Sequence, residues 1–423
     1  MLARFADTRA RTLPILLTVL FALFIVLLPR YSDVGKASFV FLILTGFFFL
    51  VFNLRELKTT TTTERLLFIV IAVNFLWIAF TFYVNGEPGQ GKNFLWTRHF
   101  YFLFAIPLFF LFRKHEISDR IIILSLFASI AFTLGDMLID LGQGIDHRLQ
   151  GVNPNALGPI QICLSGILLF FFMRKPNTPL RWLALGGFVL GIATIILSQS
   201  RNTWVTLGIL SIFFILYLAH AQPLWKRIGL GICITLLLAS AYSIPMVKTR
   251  VDLTLESISN YSASQDYRDI ARTSSLGVRI ELWKTAWNIF LENPLLGVGI
   301  GGFKEEAIKN SERYQVNEAV RQYKYAHNQY LVTLATRGIP GLILLLLVLL
   351  IPIYMAMSQQ AFEYESKSAQ LSVMLLCMIY LVGCLAEDHF ETKSFTMFFG
   401  VMLPFLLARI SLKKFPESHD PSL

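Results

Sequence analysis

Three residues have side chains suited to one kind of reaction: His327, Arg201 and Arg279. Arginine holds phosphate oxygens through two parallel hydrogen bonds and stays charged at physiological pH. A neutral imidazole accepts a proton near pH 7. Each residue also has an ordinary explanation: Arg201 could anchor a helix end, Arg279 could be a solvated charge, and a lone histidine is more often structural. Two fixed cations and one base on the same membrane face would suit transfer from a lipid pyrophosphate.

The elements that must position these residues are membrane helices. Of the 423 residues, 55% are hydrophobic and only 15% are charged. A spanning helix needs about 20 mostly apolar residues. Twelve apolar runs of this kind occur, centred near Phe21, Leu44, Val73, Ile106, Ala128, Leu164, Gly187, Leu210, Leu236, Leu347, Leu376 and Leu403. The predicted fold is an all-α polytopic membrane protein with twelve transmembrane helices and a large loop domain.

The distribution of Lys and Arg predicts the orientation. Short cytoplasmic segments carry an excess of these residues, and the bias is satisfied when both termini lie inside, with Arg113, Lys114, Lys226 and Arg227 in cytoplasmic loops. We therefore expect transmembrane helices 1–9 over residues 1–245, a periplasmic loop domain over 246–337, and helices 10–12 with a cytoplasmic tail over 338–423. The formal charge is +10, but the Lys and Arg residues are spread through short loops between the apolar runs, where topology explains them, so this charge does not indicate a nucleic-acid partner.

The long loop contains a predicted amphipathic helix followed by a turn. Apolar residues recur at helical spacing behind a serine cap signal, at Leu276, Ile280, Trp283, Trp287 and Leu291. A helix with this stripe would lie along the membrane surface. The glycines between Asn293 and Gly302 predict a turn, and no strand or Walker lysine accompanies them to indicate a phosphate loop.

Metal-ligand patterns are weak in this sequence. The four cysteines lie in apolar segments without metal-ligand spacing, and no Asp-x-Asp motif occurs on a predicted outer loop. An acidic cluster that contains Glu387, Asp388 and Glu391 is the best alternative for a metal site. We predict no metal and no cofactor.

Four segments carry a resemblance to a known family. His327 and Asn328, followed after nine residues by Gly338 and then Gly341, match the pattern H-[NSQ]-x9-G-x-x-[GTY]. This pattern marks the bacterial O-antigen ligases. The turn at Ser198–Arg201, the loop segment from Ser275 to Gly297, and the outer segment from Arg148 to Asn155 are similar to further family motifs.

The resemblance implies a fold of the glycosyltransferase C type and a set of site residues. It implies catalytic roles for His327, Arg201 and Arg279, with Arg201, Arg279, Arg148 and Asn328 binding substrate. The implied donor is an undecaprenyl-pyrophosphate-linked glycan, the acceptor is the lipid A core oligosaccharide, and membrane lipids surround the protein. The implied location is the bacterial inner membrane, with the active site on the periplasmic face. O-polysaccharide would be joined to a core sugar hydroxyl without a metal and with inversion.

Other functions remain open at this stage. O-antigen polymerases and O-linked protein oligosaccharyltransferases resemble ligases in hydropathy and loop layout, and they use the same kind of donor. A transporter would also suit twelve spans, but ionisable residues within the spans are few, with Asp136 and Asp140 as exceptions near one helix end. A non-catalytic assembly protein would have no reason to gather two arginines and a histidine on one face.

Overall fold

The structure is a computed structural model. It describes residues 2–29, 32–85, 95–144, 154–174, 178–219, 245–263, 275–313, 318–358 and 364–411, with isolated positions between 223 and 243. All regular structure in these ranges is helical. The α-helices, in chain order, are α1 Leu2–Leu27, α2 Ser32–Phe52, α3 Thr62–Val84, α4 Leu95–Phe100, α5 Ala105–Lys114, α6 Asp119–Gly142, α7 Pro154–Arg174, α8 Pro179–Leu197, α9 Arg201–Ala219, α10 Pro245–Ala263, α11 Ser275–Glu292, α12 Phe303–Arg313, α13 Gln329–Ser358, α14 Tyr364–Gly383 and α15 Lys393–Ser411.

Most of the predicted spans coincide with apolar helices, and the all-α polytopic membrane fold is confirmed. Within the described ranges, six helices are long and apolar enough to cross a membrane, namely those in α2, α3, α6, α8, α13 and α15. Shorter apolar helices lie in α1, α7, α9 and α14. The span expected near Ile106 is divided into α4 and α5 by a turn, and the span expected near Leu236 falls outside the described residues. The count of twelve therefore stays a prediction.

Helix α15 lies at the centre of the helical assembly. Nearly all of this apolar helix is buried inside the protein, and it packs against α5 and α14. Aromatic rings fill this interface, with Phe399 against Phe102 and Tyr380. The segment that enters α15 is consequently held in the middle of the molecule, and this segment contains the acidic cluster.

The segment between α10 and α13 has a small core of its own. Leu282, Ala286 and Ile289 of α11 are buried together with Phe303 and Ala307 of α12 and with Val332 and Ala335 of α13. The first turns of α13 thus belong to the same core as the long loop. Amphipathic α11 and the turn that follows it were both predicted from the sequence, and both are present.

Gly338 joins this core to the membrane-spanning part of α13. Its φ of 66° interrupts the helix with a kink, and a Cβ at this position would lie 2.1 Å from the carbonyl oxygen of Leu295. Only glycine tolerates both the left-handed backbone and this close approach. The boundary expected between residues 337 and 338 falls at the kink, and the three predicted domain ranges stay predictions.

Candidate functional site

The site is built at the start of α13, where the family-like motif lies. Asn328 caps the helix, since its side-chain oxygen accepts the backbone N–H groups of Tyr330 at 3.0 Å and Leu331 at 3.1 Å. An asparagine side chain at this position satisfies donors that a helix start leaves unpaired. Its amide nitrogen donates to the Leu385 carbonyl at 3.0 Å. The structure therefore places Asn328 in the framework of the site, and its predicted role in substrate binding stays a prediction.

Asp388 fixes the backbone of the motif. Its two carboxylate oxygens accept the backbone N–H groups of His327 at 2.9 Å and Asn328 at 3.0 Å. His327 has a φ of 53°, which is uncommon for a residue other than glycine. The carboxylate thus holds the histidine in a strained backbone conformation, and such conformations cluster at functional sites.

The His327 side chain pairs with Glu387. The imidazole Nδ1 lies 3.2 Å from Glu387 Oε2, and the Tyr323 ring packs edge-on against the imidazole with centroids 5.6 Å apart. A carboxylate at Nδ1 favours the tautomer that carries its proton there, which leaves Nε2 with a lone pair. About a third of the side chain is exposed, at 33%. The contacts of the ring with Glu387 and Asp388 are made through Nδ1, so Nε2 is the nitrogen that could accept a proton from a substrate.

Arg279 meets the other oxygen of the same carboxylate. Its Nη2 donates to Glu387 Oε1 and its Nη1 donates to the Ala386 carbonyl at 2.7 Å. A guanidinium has five N–H donors, so these two bonds leave others for an anion. Helix α11 positions the arginine because Leu282 and Ala286, which follow Arg279 at helical spacing on the same side of the helix, are anchored in the core. Glu387 therefore links His327 and Arg279, which lie far apart in the sequence.

The turn that carries Arg201 is tied to the same carboxylate. Asn155 donates to Glu387 Oε1 at 2.8 Å, and it accepts the hydroxyl of Ser200, also at 2.8 Å. Three residues separate α8 from α9, and the turn is closed at Gln199 by a φ of 52°. Arg201 is the first residue of α9, directly after Ser200. The short turn predicted from the sequence is confirmed, and the Ser200–Asn155 link brings it to the site.

Burial and neighbouring charges shift the pKa values of His327, Glu387 and Asp388. Burial lowers the pKa of His327, but the hydrogen bond with Glu387 and the charges of Asp388 and Glu387 outweigh it, so the net shift is upwards. Burial works against the charged form of Glu387, yet the contacts with His327 and Arg279 hold its pKa below the ordinary value. Burial raises the pKa of Asp388 to about 7. The site contains a histidine more basic than usual beside an ionised glutamate.

A second charged cluster lies beneath the site and is fully buried. The Arg337 guanidinium donates to Glu391, which also lies 3.3 Å from His99 Nε2. Gln329 joins this cluster to the first residues of the 3₁₀ turn at His389–Glu391, because its side-chain oxygen accepts the Phe390 N–H at 2.9 Å. Arg337 and His99 lower the pKa of Glu391 despite its burial. The cluster fixes α13 against the segment that holds Glu387 and Asp388.

Sequence reasoning found part of this site and missed part. The structure brings together His327, Arg279 and the turn with Arg201, whereas Arg148 lies outside the described residues. From the sequence, Glu387 and Asp388 are expected only as possible metal ligands. Among the described residues, no group of three or more His, Cys, Asp or Glu has the arrangement of a metal site. The available signal for these residues was their position at the outer end of a predicted span, where acidic side chains are rare.

The fold and this site define a class of protein, an all-α polytopic membrane protein with a cluster of cations, carboxylates and one accessible imidazole where several helices end. Residues 186–346 match the family model described as O-antigen ligase, and this match confirms the predicted resemblance to the O-antigen ligase family. The matched segment contains Arg201, Arg279 and His327. It supports a function within the superfamily of O-antigen ligases and polymerases.

One relative is similar to nearly the whole chain. An uncharacterised protein of Haemophilus influenzae is 25% identical over 415 residues, which cover 93% of this chain and 97% of that protein. The similarity therefore extends beyond the segment that the family model matches.

Proposed function

We propose that this chain is an O-antigen ligase, which transfers O-polysaccharide from undecaprenyl pyrophosphate to a sugar hydroxyl of the lipid A core. The reaction takes place at the periplasmic face of the bacterial inner membrane, with both termini in the cytoplasm. The observation that carries this proposal is the bridge from His327 through Glu387 to Arg279, together with the Asn155–Ser200 link to the Arg201 turn.

His327 is the general base in this proposal. The acceptor hydroxyl donates its proton to Nε2 as its oxygen forms a bond to the anomeric carbon of the donor. Glu387 holds the ring in the required tautomer and stabilises the imidazolium that forms. The bond from the anomeric carbon to the pyrophosphate breaks on the opposite side, so the configuration inverts.

Arg279 and Arg201 act on the leaving group. Negative charge develops on the pyrophosphate as the glycosidic bond breaks, and cations placed there in advance stabilise the transition state more than the ground state. Glu387 offsets part of the Arg279 charge. The guanidinium of Arg279 is held by two protein acceptors, so we assign Arg279 a role in positioning the pyrophosphate as well as in stabilising its charge.

The reaction needs no nucleotide because the pyrophosphate linkage supplies the driving force, and the arginines take the part that a divalent cation plays elsewhere. Purified protein should transfer glycan from a lipid-linked donor to a rough lipopolysaccharide acceptor in the presence of EDTA. If EDTA abolishes transfer and a divalent cation restores it, the reaction needs a metal. Glu387 and Asp388 would then be assigned as metal ligands.

The acceptor distinguishes this proposal from the related functions. Deletion of the gene should remove all O-polysaccharide from lipopolysaccharide and should leave lipid-linked polymer in the membrane. A core that still bears a single repeat would identify a polymerase, and an unchanged lipopolysaccharide with unmodified proteins would identify a protein oligosaccharyltransferase. The full-length chain provides the control by complementation.

A further inference from the structure

Helix α11 has two apolar faces, and the described part of the chain covers one of them. Leu282, Ala286 and Ile289 are buried in the core that α11 shares with α12 and α13. The other face carries Trp287, which is 46% exposed, and Leu291, which is 59% exposed. These two residues are four apart and therefore adjacent on one side of the helix. They belong to the amphipathic stripe visible in the sequence.

The exposed face continues beyond the end of the helix. Leu295 is 66% exposed and follows Leu291 at the same spacing. The backbone at this point is bonded to α13, because the Ile339 N–H donates to the Pro294 carbonyl at 2.9 Å. Leu295 thus lies beside Ile339, which is 42% exposed.

The stripe on α11 leads directly into the outward face of a membrane-spanning helix. Beyond Ile339, the exposed apolar side chains of α13 continue with Ile343, Leu350 and Tyr354. Helix α13 is long and apolar enough to cross a membrane, so we infer that this exposed apolar face meets lipid tails. The exposed apolar face of α11 is continuous with this face of α13. We therefore expect both faces to be in contact with lipid.

We propose that Trp287, Leu291 and Leu295 form a membrane-seated edge, which lies in the interfacial region of the bilayer at the level where α13 emerges. Tryptophan is enriched at this level because its ring is apolar and its N–H is polar. Lys284 lies one turn before this edge, is 49% exposed and pairs with Glu281 at 2.9 Å. A lysine stem can lie along the apolar surface while its ammonium reaches the phospholipid head groups.

The membrane-seated edge sets the height of Arg279. The arginine precedes Trp287 by eight residues on the same rigid helix, which corresponds to a rise of about 12 Å. An amphipathic helix seated in the interface runs parallel to the bilayer plane, so this distance is lateral and the guanidinium stays at the level of the lipid head groups. This placement concerns the protein and the bilayer alone, so it can be tested without measuring glycan transfer.

Spin labels on the intact protein test the proposal. Nitroxides would be attached to Leu291→Cys and Leu295→Cys in the full chain, reconstituted in vesicles of phosphatidylethanolamine and phosphatidylglycerol. Lys309→Cys on α12 is the matched control, because Lys309 is 69% exposed. The unsubstituted protein is treated with the same label, and its signal measures how far the native cysteines are labelled. Collision with oxygen, which concentrates in the bilayer, would be compared with collision with a water-soluble nickel chelate.

The labels at 291 and 295 should favour oxygen, and the label at 309 should favour nickel. In addition, Trp287→Phe should reduce the part of the tryptophan emission that brominated phospholipids quench. The proposal is overturned if positions 291 and 295 are as accessible to nickel as position 309. It is overturned equally if both labels are shielded from both reagents, because a second copy or another segment of the chain would then cover this face.

Discussion

His327 and Glu387 are in contact through imidazole Nδ1 and carboxylate Oε2, 3.2 Å apart. The contact joins the last part of the long loop to the segment between α14 and α15. It fixes the histidine tautomer and makes the imidazole more basic. The proposed chemistry depends on this contact, because a base with the wrong tautomer would point its N–H at the acceptor hydroxyl.

The first prediction concerns the pH dependence of transfer. A general base works in its neutral form, so activity is lost as pH falls through the pKa of His327, which lies above its ordinary value. Glu387→Gln removes a hydrogen bond and a charge that both raise this pKa. The acid limb of kcat/KM should therefore move to lower pH, and the plateau should fall because the amide no longer selects the tautomer.

The matched control for this measurement is Glu312→Gln, since Glu312 is 67% exposed and pairs only at the surface with Arg321. Its pH profile should equal that of the unsubstituted protein. An acid limb that stays in place or moves to higher pH in Glu387→Gln would show that the carboxylate does not set the basicity of His327.

The second prediction concerns the two arginines. Arg201→Ala and Arg279→Ala should both lose transfer, and the lysine variants should recover only part of it, because an ammonium cannot form the two parallel hydrogen bonds of a guanidinium. Arg313→Lys is the control, at a residue 68% exposed in a surface pair with Glu292. Initial rates with a lipid-linked donor measure the effect. If Arg201→Lys and Arg279→Lys are both fully active, the two parallel hydrogen bonds of a guanidinium are not needed at these positions.

Part of this site followed from the sequence because its signals are local. The length of apolar runs predicts spans, the serine turn predicts the short connection before Arg201, and the His-Asn pair identifies the start of α13. The carboxylates could not be assigned in the same way. Glu387 reaches His327 only because α14 and α15 return the chain to the same end of the helical assembly, and nothing near Glu387 in the sequence identifies its partner.

The exposed face of α11 also could not be fully predicted from the sequence. The sequence predicted one apolar stripe, through Trp287 and Leu291, whereas the protein core uses Leu282 and Ile289 on the opposite side. Periodicity identifies which residues share a face. It does not identify which apolar surface will cover that face when both protein and lipid are present.

The third prediction concerns the buried cluster beneath the site. Glu391→Ala leaves the Arg337 charge, which is only 1% exposed, without its carboxylate partner. Breaking a buried ion pair in this way typically costs about 3–5 kcal/mol. Unfolding in mixed micelles should show a loss of this size, while Glu312→Ala, which removes a surface pair, should change stability very little. Equal stability of the two variants would contradict the role given to this cluster.

The fourth prediction concerns the kink in α13. Gly338→Ala would place a methyl group 2.1 Å from the Leu295 carbonyl oxygen and would strain a backbone with φ of 66°. The first turns of α13 should detach from the turn after α11, with loss of both stability and transfer. Gly135→Ala is the control, since a Cβ there meets nothing within 4 Å. Thermal unfolding in detergent compares them, and a Gly338→Ala protein as stable as the control would disprove the close packing.

The most direct test of the proposed reaction is single-turnover transfer by His327→Ala, measured together with donor binding. The variant should bind the lipid-linked pyrophosphate donor as the unsubstituted protein does, because the arginines remain. Its transfer to the lipid A core should fall by about a hundred- to ten-thousandfold, which is the usual contribution of a general base. Near-normal transfer by His327→Ala across a range of pH would contradict the account, and the histidine would then be a structural residue.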